Sequence, residues 1–242
     1  MSKRLTWPAA IALLLCCAAA QAGPPELVML APLNHTMPIA RFSDNELAGG
    51  ILKDLGELLA AKLGRSARFI AVPSRRVSMM LATGKADGVC FVQPHWIDGE
   101  YHWSAELIPT GGVVLARADA PPVLRLDDLR GKRVGTVAGY RYRYLEPLLG
   151  KDFVRDDAPS AEHNLRKLLA GRTRYALLEQ STAAWQVKND TSHSLRLDVI
   201  YEHNMARCAF AQNSTIPYAE IKRATDSIIA EHGVDKIMAR YR

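Results

Sequence analysis

The chain is poor in the residues and phrases that mark many common functions. Its seven histidines form no H-x-x-x-H pair, and Cys90, His95 and His102 lack metal-ligand spacing, which argues against a zinc site. There is no G-x-S-x-G or comparable nucleophile phrase, and nothing points to a resident cofactor. Apolar runs stop well short of the ~20 residues that a membrane-spanning helix needs. The 31 Lys and Arg exceed the 25 Asp and Glu, but they are scattered, with no polybasic arm. A formal charge of +6 distributed in this way does not imply a nucleic-acid partner.

The N-terminus has the features of an export signal. A basic start at Lys3 and Arg4 precedes an apolar run from Ala9 to Ala20, and Ala20-Gln21-Ala22 supplies an A-x-A cleavage site before Gly23. Residues 1–22 therefore read as a removed leader. Cys16 and Cys17 fall inside it without the small residue that lipoprotein cleavage requires, so the product is expected to be periplasmic and unlipidated. About 220 residues remain, with a charge near +4, enough for one large domain or two small lobes. Cys90 and Cys208 are then the remaining cysteines. An even count in an oxidising compartment favours a disulfide; the alternative is two small buried hydrophobes.

Three segments repeat one pattern of amphipathic helix, glycine stop, polar residue and apolar β-rich run. The first places Ile51, Leu55, Leu58, Leu59 and Leu63 at helical spacing before Gly64 and leads into Ala67–Val72. The other two align with each other, Leu81-Ala-Thr-Gly84-Lys against Leu168-Leu-Ala-Gly171-Arg. Glycine is the expected residue just past a helix end. Helices alternating with short apolar strands predict α/β layers, and repetition in both halves suggests two similar lobes, with one continuous sheet as the alternative.

Ligands of open α/β sheets bind beyond the carboxyl ends of the strands, which selects residues from position alone. Asn34 and His35 follow the strand at Glu26–Leu30, and Ser74, Arg75 and Arg76 follow Phe69–Val72. Gln93, His95 and Trp96 come after Cys90–Val92, Gly139 to Arg143 after Arg133–Val137, and Glu179 after Tyr175–Leu178. Cations, amides, aromatics and a carboxylate gathered in this way are binding-site chemistry.

These phrases, in this order, resemble family 3 of the extracellular solute-binding proteins, the periplasmic receptors for polar amino acids in ABC uptake. The matching text is Gly50-x-x-x-Asp54-Leu55, Leu81-x-x-Gly84-Lys85-x-Asp87, Leu126-Asp-Asp-Leu129-x-Gly131-Lys132-x-Val134-Gly135-x-x-x-Gly139, Leu169-x-Gly171-Arg172 and Gly233-Val-Asp-Lys-Ile237. The resemblance implies an α/β, two-lobed periplasmic-binding-protein type II fold with a hinge and an inter-lobe ligand cleft. Lobe 1 would span residues 23–110 and return with 206–242, and lobe 2 would span 111–205. It places the strand through Cys208 beside that through Cys90, and puts crossovers near Thr110–Gly112 and Asn204–Ala206. It also implies a small-molecule ligand, a membrane permease as partner and a monomeric protein that is not an enzyme.

The chain departs from the family pattern in two places. The loop Gln93–Glu100 has no arginine to fork onto a ligand carboxylate, and Ser74 stands where an aromatic often covers the ligand. Arg76 or Arg75 is a candidate replacement for the guanidinium, with Arg76 taken into the ligand set. Glu179 is the counterpart of the acid that takes an α-ammonium, and Trp96 and Tyr140 are candidates for stacking. The segment Gly139-Tyr-Arg-Tyr-Arg-Tyr144 reads as a strand end followed by a helix N-terminus, with Tyr140 and Tyr144 on one face. Gly139, Tyr140 and Arg141 would then face the ligand, with Arg141 supplying the missing anion contact and Tyr142 and Arg143 solvated. The ligand set is thus Ser74, Arg76, Gln93, Trp96, Gly139, Tyr140, Arg141 and Glu179. Solute capture is the leading function; a cyclohexadienyl-dehydratase-like enzyme using Glu179 or Glu100 with a burial-raised pKa, and a solute sensor docking on a signalling partner, are the alternatives.

Overall fold

The computed structural model describes residues 25–242; the expected leader, residues 1–22, lies outside them. The chain begins with strand β1 (Glu26–Pro32), a hairpin of β2 (Arg41–Ser43) and β3 (Glu46–Gly49), helix α1 (Ile51–Lys62) and β4 (Ser66–Val72). A 3-10 turn at Ser74–Arg76 leads into α2 (Val77–Ala82), then β5 (Gly88–Val92), β6 (Tyr101–Trp103) and β7 (Ile108–Arg117). The middle of the chain holds β8 (Arg133–Val137), α3 (Leu145–Leu149), β9 (Val154–Ala158), α4 (Ala161–Leu169), β10 (Tyr175–Glu179) and α5 (Gln180–Lys188). It closes with β11 (Leu195–Ala211), α6 (Tyr218–Ala230) and α7 (Gly233–Ala239).

The strands lie in the order β4-β1-β5-β11-β7-β10-β8-β9, with β6 also paired to β11. At one end β4, β1 and β5 run parallel, and at the other so do β10, β8 and β9. Between them, the 17-residue β11 is antiparallel both to β5 and to β7. The hydrogen-bonded path is therefore continuous, while the apolar interior is divided.

The inner strands β1, β5, β8 and β10 are buried on both faces because they are mostly apolar, while the edge strands β4 and β9 carry polar residues and are partly exposed. In the first half, Leu27, Met29 and Phe210 pack with Leu55 and Leu59 of α1 and Ile228 of α6. On the opposite face, Leu30, Val89 and Ala209 meet Val77 and Leu81 of α2. The second half repeats this arrangement, with Val114, Val134 and Leu177 against Leu145, and Val113, Leu115 and Ala176 against Leu165 and Leu168 of α4. Period-2 alternation along each strand thus feeds two helical layers in both halves.

The repeated helix endings have one cause. Gly84 and Gly171 take φ of 68° and 70°, a left-handed conformation that costs residues with a Cβ about 1–2 kcal/mol. This lets the next N–H reach five residues back, Lys85 to Met80 and Arg172 to Lys167, closing the last turn as in a Schellman cap. The end of α1 closes in the same way through Arg65 and Ala60. Inside α1, Gly56 would cost ~1 kcal/mol relative to alanine in an isolated helix. Here a Cβ at that position would lie 2.5 Å from the Phe69 ring, so the glycine permits close packing of α1 on β4.

Cys90 and Cys208 form a disulfide between facing positions of β5 and β11. Phe91, beside it, is fully buried with φ of 63°, where the register between these strands shifts. A bulky residue at positive φ is held only when its surroundings over-determine it. At this position the disulfide and the edge-on His35 ring, 5.4 Å from the Phe91 ring, supply that constraint.

Candidate functional site

The carboxyl ends of the strands from the two halves face each other across a crevice. On the first side, β1 and β4 pair in register from Glu26 with Ser66 to Pro32 with Val72, and Leu33 N–H extends the ladder to the Val72 carbonyl. Asn34 and Ser74 therefore leave the sheet at about the same level. Gln93 follows β5, the other neighbour of β1. On the second side, Tyr140 follows β8 and Glu179 ends β10.

Two contacts close the crevice directly. The Asn34 side-chain amide donates to the Tyr140 hydroxyl, and the Ala161 N–H at the start of α4 donates to the Asn34 carbonyl at 3.1 Å. Asn34 was one of the strand-end residues in the sequence but not one of the eight assigned to the ligand, because no charge or aromatic ring singled it out.

Tyr140 is placed by Arg155 of β9. That guanidinium donates to the carbonyls of Val137 and Tyr140 at 3.2 and 3.1 Å, pairs with Glu146 and Asp157, and lies 5.0 Å from the Tyr142 ring centre. The expected helix at residue 140 is replaced by a loop, since α3 begins only at Leu145 and has five residues. Tyr140 and Tyr144 consequently do not share a helical face, and no helix N-terminus stands at Gly139. Tyr142, expected at the solvated surface, is buried, and its hydroxyl accepts from the Val137 N–H at 2.8 Å. Burial raises the pKa of both Tyr140 and Tyr142, so both phenols stay protonated at neutral pH.

Glu179 sits where β10 passes into α5 and caps that helix. Its carboxylate accepts from the Thr182 N–H at 2.8 Å, the Ser181 hydroxyl at 2.6 Å and, from β7, the Thr110 hydroxyl at 3.3 Å. Burial pushes its pKa up and outweighs the pull of these donors in the opposite direction. The side chain still keeps part of its surface open. Among the described residues no cation pairs with it.

The other expected residues are less closely joined. Ser74, Arg76 and Arg141 are exposed, and neither guanidinium makes a hydrogen bond or ion pair with a described residue. Trp96 is 46% exposed and meets His95 edge-on, their ring centres 5.9 Å apart. Burial, reinforced by Arg143 from the opposite side, lowers the His95 pKa, and Glu202 partly offsets this. Gly139 stands in a turn with φ of 81° and open space around its Cα. Gln93 is buried, with no partner for its Nε2.

Thr110–Gly112 and Asn204–Ala206, the two expected crossover regions, meet in the β7–β11 ladder, where Thr110 pairs with Asn204 and Gly111 with His203. A Cβ on Gly111 would lie 2.2 Å from the Glu202 carbonyl oxygen, and one on Gly112 would lie 2.3 Å from the Tyr201 ring. The glycines allow the approach of these strands beneath Glu179.

No family model matches the chain, and no curated protein matches it in sequence. Solved structures do match in shape. An ancestral arginine-binding protein bound to arginine has a TM-score of 0.76 at 17% identity, covering 91% of this chain and 99% of its own. AncCDT-1, an ancestral amino-acid-binding protein and precursor of cyclohexadienyl dehydratase, has 0.74 at 16%, covering 89% and 94%. The periplasmic VFT2 domain of BvgS from Bordetella pertussis has 0.72 at 19%, covering 90% and 93%. The likeness is one of fold, and that fold is the two-lobed α/β architecture of periplasmic binding proteins.

Proposed function

We propose that this chain captures a small polar solute between its two halves. The observation that carries the reading is Glu179, a desolvated carboxylate at a strand end with three hydrogen-bond donors and no cation among the described residues. A buried acid in that state is completed by a cationic group from outside, and an amine-bearing solute supplies one. Arg76 and Arg141, both without acidic partners, are assigned to an anionic group on the same solute, as in an amino acid or related zwitterion. Tyr140, Gln93, Trp96, Ser74 and Gly139 complete the proposed lining.

Residues 23–110 with 206–242, and 111–205, are proposed as the lobes that close over the solute. Closure follows if the solute binds the closed arrangement more tightly than the open one. The binding-protein neighbours support this reading, since one is bound to arginine and another is described as amino-acid-binding. Release of the solute to an ABC permease from a monomeric periplasmic protein completes the proposal. Isothermal titration of the mature chain against amino acids, polyamines, opines and organic acids tests it. Saturable binding of an amine, weakened at least tenfold by Glu179→Gln, is expected; no binding of any small solute would defeat it.

One observation favours a second reading. The raised pKa of Glu179 suits a general acid, and AncCDT-1 is a precursor of a dehydratase. Turnover of a cyclohexadienyl acid, abolished in Glu179→Gln, is the outcome that would put this reading first.

A further inference from the structure

The first side of the crevice contains two buried polar groups without partners. Gln93 is 9% exposed, and its Nε2 donor has no partner among the described residues. Oδ1 of Asn34 is a buried acceptor with none. In the structure its Nδ2 donates to the Tyr140 hydroxyl across the crevice, and Oδ1 is the open group. Buried polar groups without partners cost free energy, so such a pair in a crevice marks what an incoming molecule must supply. The two residues follow β1 and β5, neighbouring parallel strands, so they stand at one end of the same sheet.

One group needs an acceptor and the other needs a donor. A carboxylate has acceptors only and would place its charge against the Asn34 carbonyl oxygen, while an ammonium offers nothing to Gln93. A carboxamide, ureido or lactam group satisfies both. We infer, resting on the capture reading above, that the solute bears such an uncharged group, with its carbonyl oxygen on Gln93 Nε2 and its N–H on Asn34 Oδ1. The lack of arginine in Gln93–Glu100 fits this reading, since a guanidinium there would select an acid. The amine of the same solute remains with Glu179.

Matched pairs that differ only at the side-chain carboxyl, and so keep the α-carboxylate assigned to Arg76 and Arg141, test the inference: glutamine and glutamate, asparagine and aspartate. Each is titrated calorimetrically into the mature chain, into Gln93→Glu and into Gln93→Met, with thermal melts to check folding. In any pair that binds, the carboxamide is expected to be at least tenfold tighter, and both substitutions are expected to remove that advantage. Acids that bind as tightly as their amides, or a preference that survives in whichever Gln93 variant folds, would overturn the inference while leaving solute capture intact. If no amine in this set or in the wider panel binds, both readings fall together.

Discussion

At the scale of single residues, Glu179 combines two roles that make it sensitive to pH. It caps α5, and it holds a carboxylate whose pKa is raised by burial. Because the folded pKa lies above the unfolded one, its contribution to stability is complete below the unfolded value and is lost as pH rises through the folded value. The solute-free protein is therefore expected to lose some stability over that window, and Glu179→Gln to flatten the profile, as read from denaturant midpoints at a series of pH values. Binding of an amine runs in the opposite sense, since it needs the ionised carboxylate. Affinity is expected to fall as pH drops through the raised pKa. Tyr140→Phe removes the hydroxyl that joins Asn34 across the crevice, at a cost of about 0.5–1.5 kcal/mol to the closed arrangement. A larger radius of gyration in solution scattering without solute, restored on saturation, is the expected outcome.

At the scale of elements, the helix endings are legible in the sequence, because a glycine after an amphipathic run has a physical reason to be there. Gly171→Ala is expected to destabilise by ~1 kcal/mol in thermal unfolding, since its added Cβ meets only the end of Arg117 at 3.8 Å and the cost is conformational. Strands β1, β4, β5, β8 and β10 were readable for a related reason, their apolar runs ending in polar residues, whereas β9, Val-Arg-Asp-Asp-Ala, has no such run and was not. Nor were residues 140–144. Their alternation of tyrosine and arginine suits a strand or a helix turn equally well, and the deciding contacts come from Arg155 on β9. The cap made by Glu179 was likewise visible only as an acid at a strand end, because its third donor, Thr110, is 69 residues away. Asn34 escaped selection since its importance lies in what it lacks, a partner for Oδ1, and sequence does not record unpaired atoms.

At the scale of the whole molecule, the disulfide links strands whose cysteines are 118 residues apart. In the chain-entropy account a loop of ~100 residues is worth about 4.7 kcal/mol, and losses of native disulfides in small secreted domains run at 2–5 kcal/mol. Cys90→Ser with Cys208→Ser is expected to lower the denaturant midpoint correspondingly. Alkylation of the native, unreduced protein is expected to label neither cysteine. The fold itself follows from the repeated unit, since neither parallel sheet is stable until helices cover both faces.

Ile108 and Ala206 are facing partners at one end of the β7–β11 ladder. Everything between them leaves the first half and returns to it at neighbouring points, so only about one strand spacing, ~5 Å, separates the departing and returning chain. The second half thus has the form of a cassette spliced into the loop of a hairpin. Such a layout gives an engineer, or a recombining gene, a single place at which to exchange one whole wall of the crevice while the other keeps its own strand order and core.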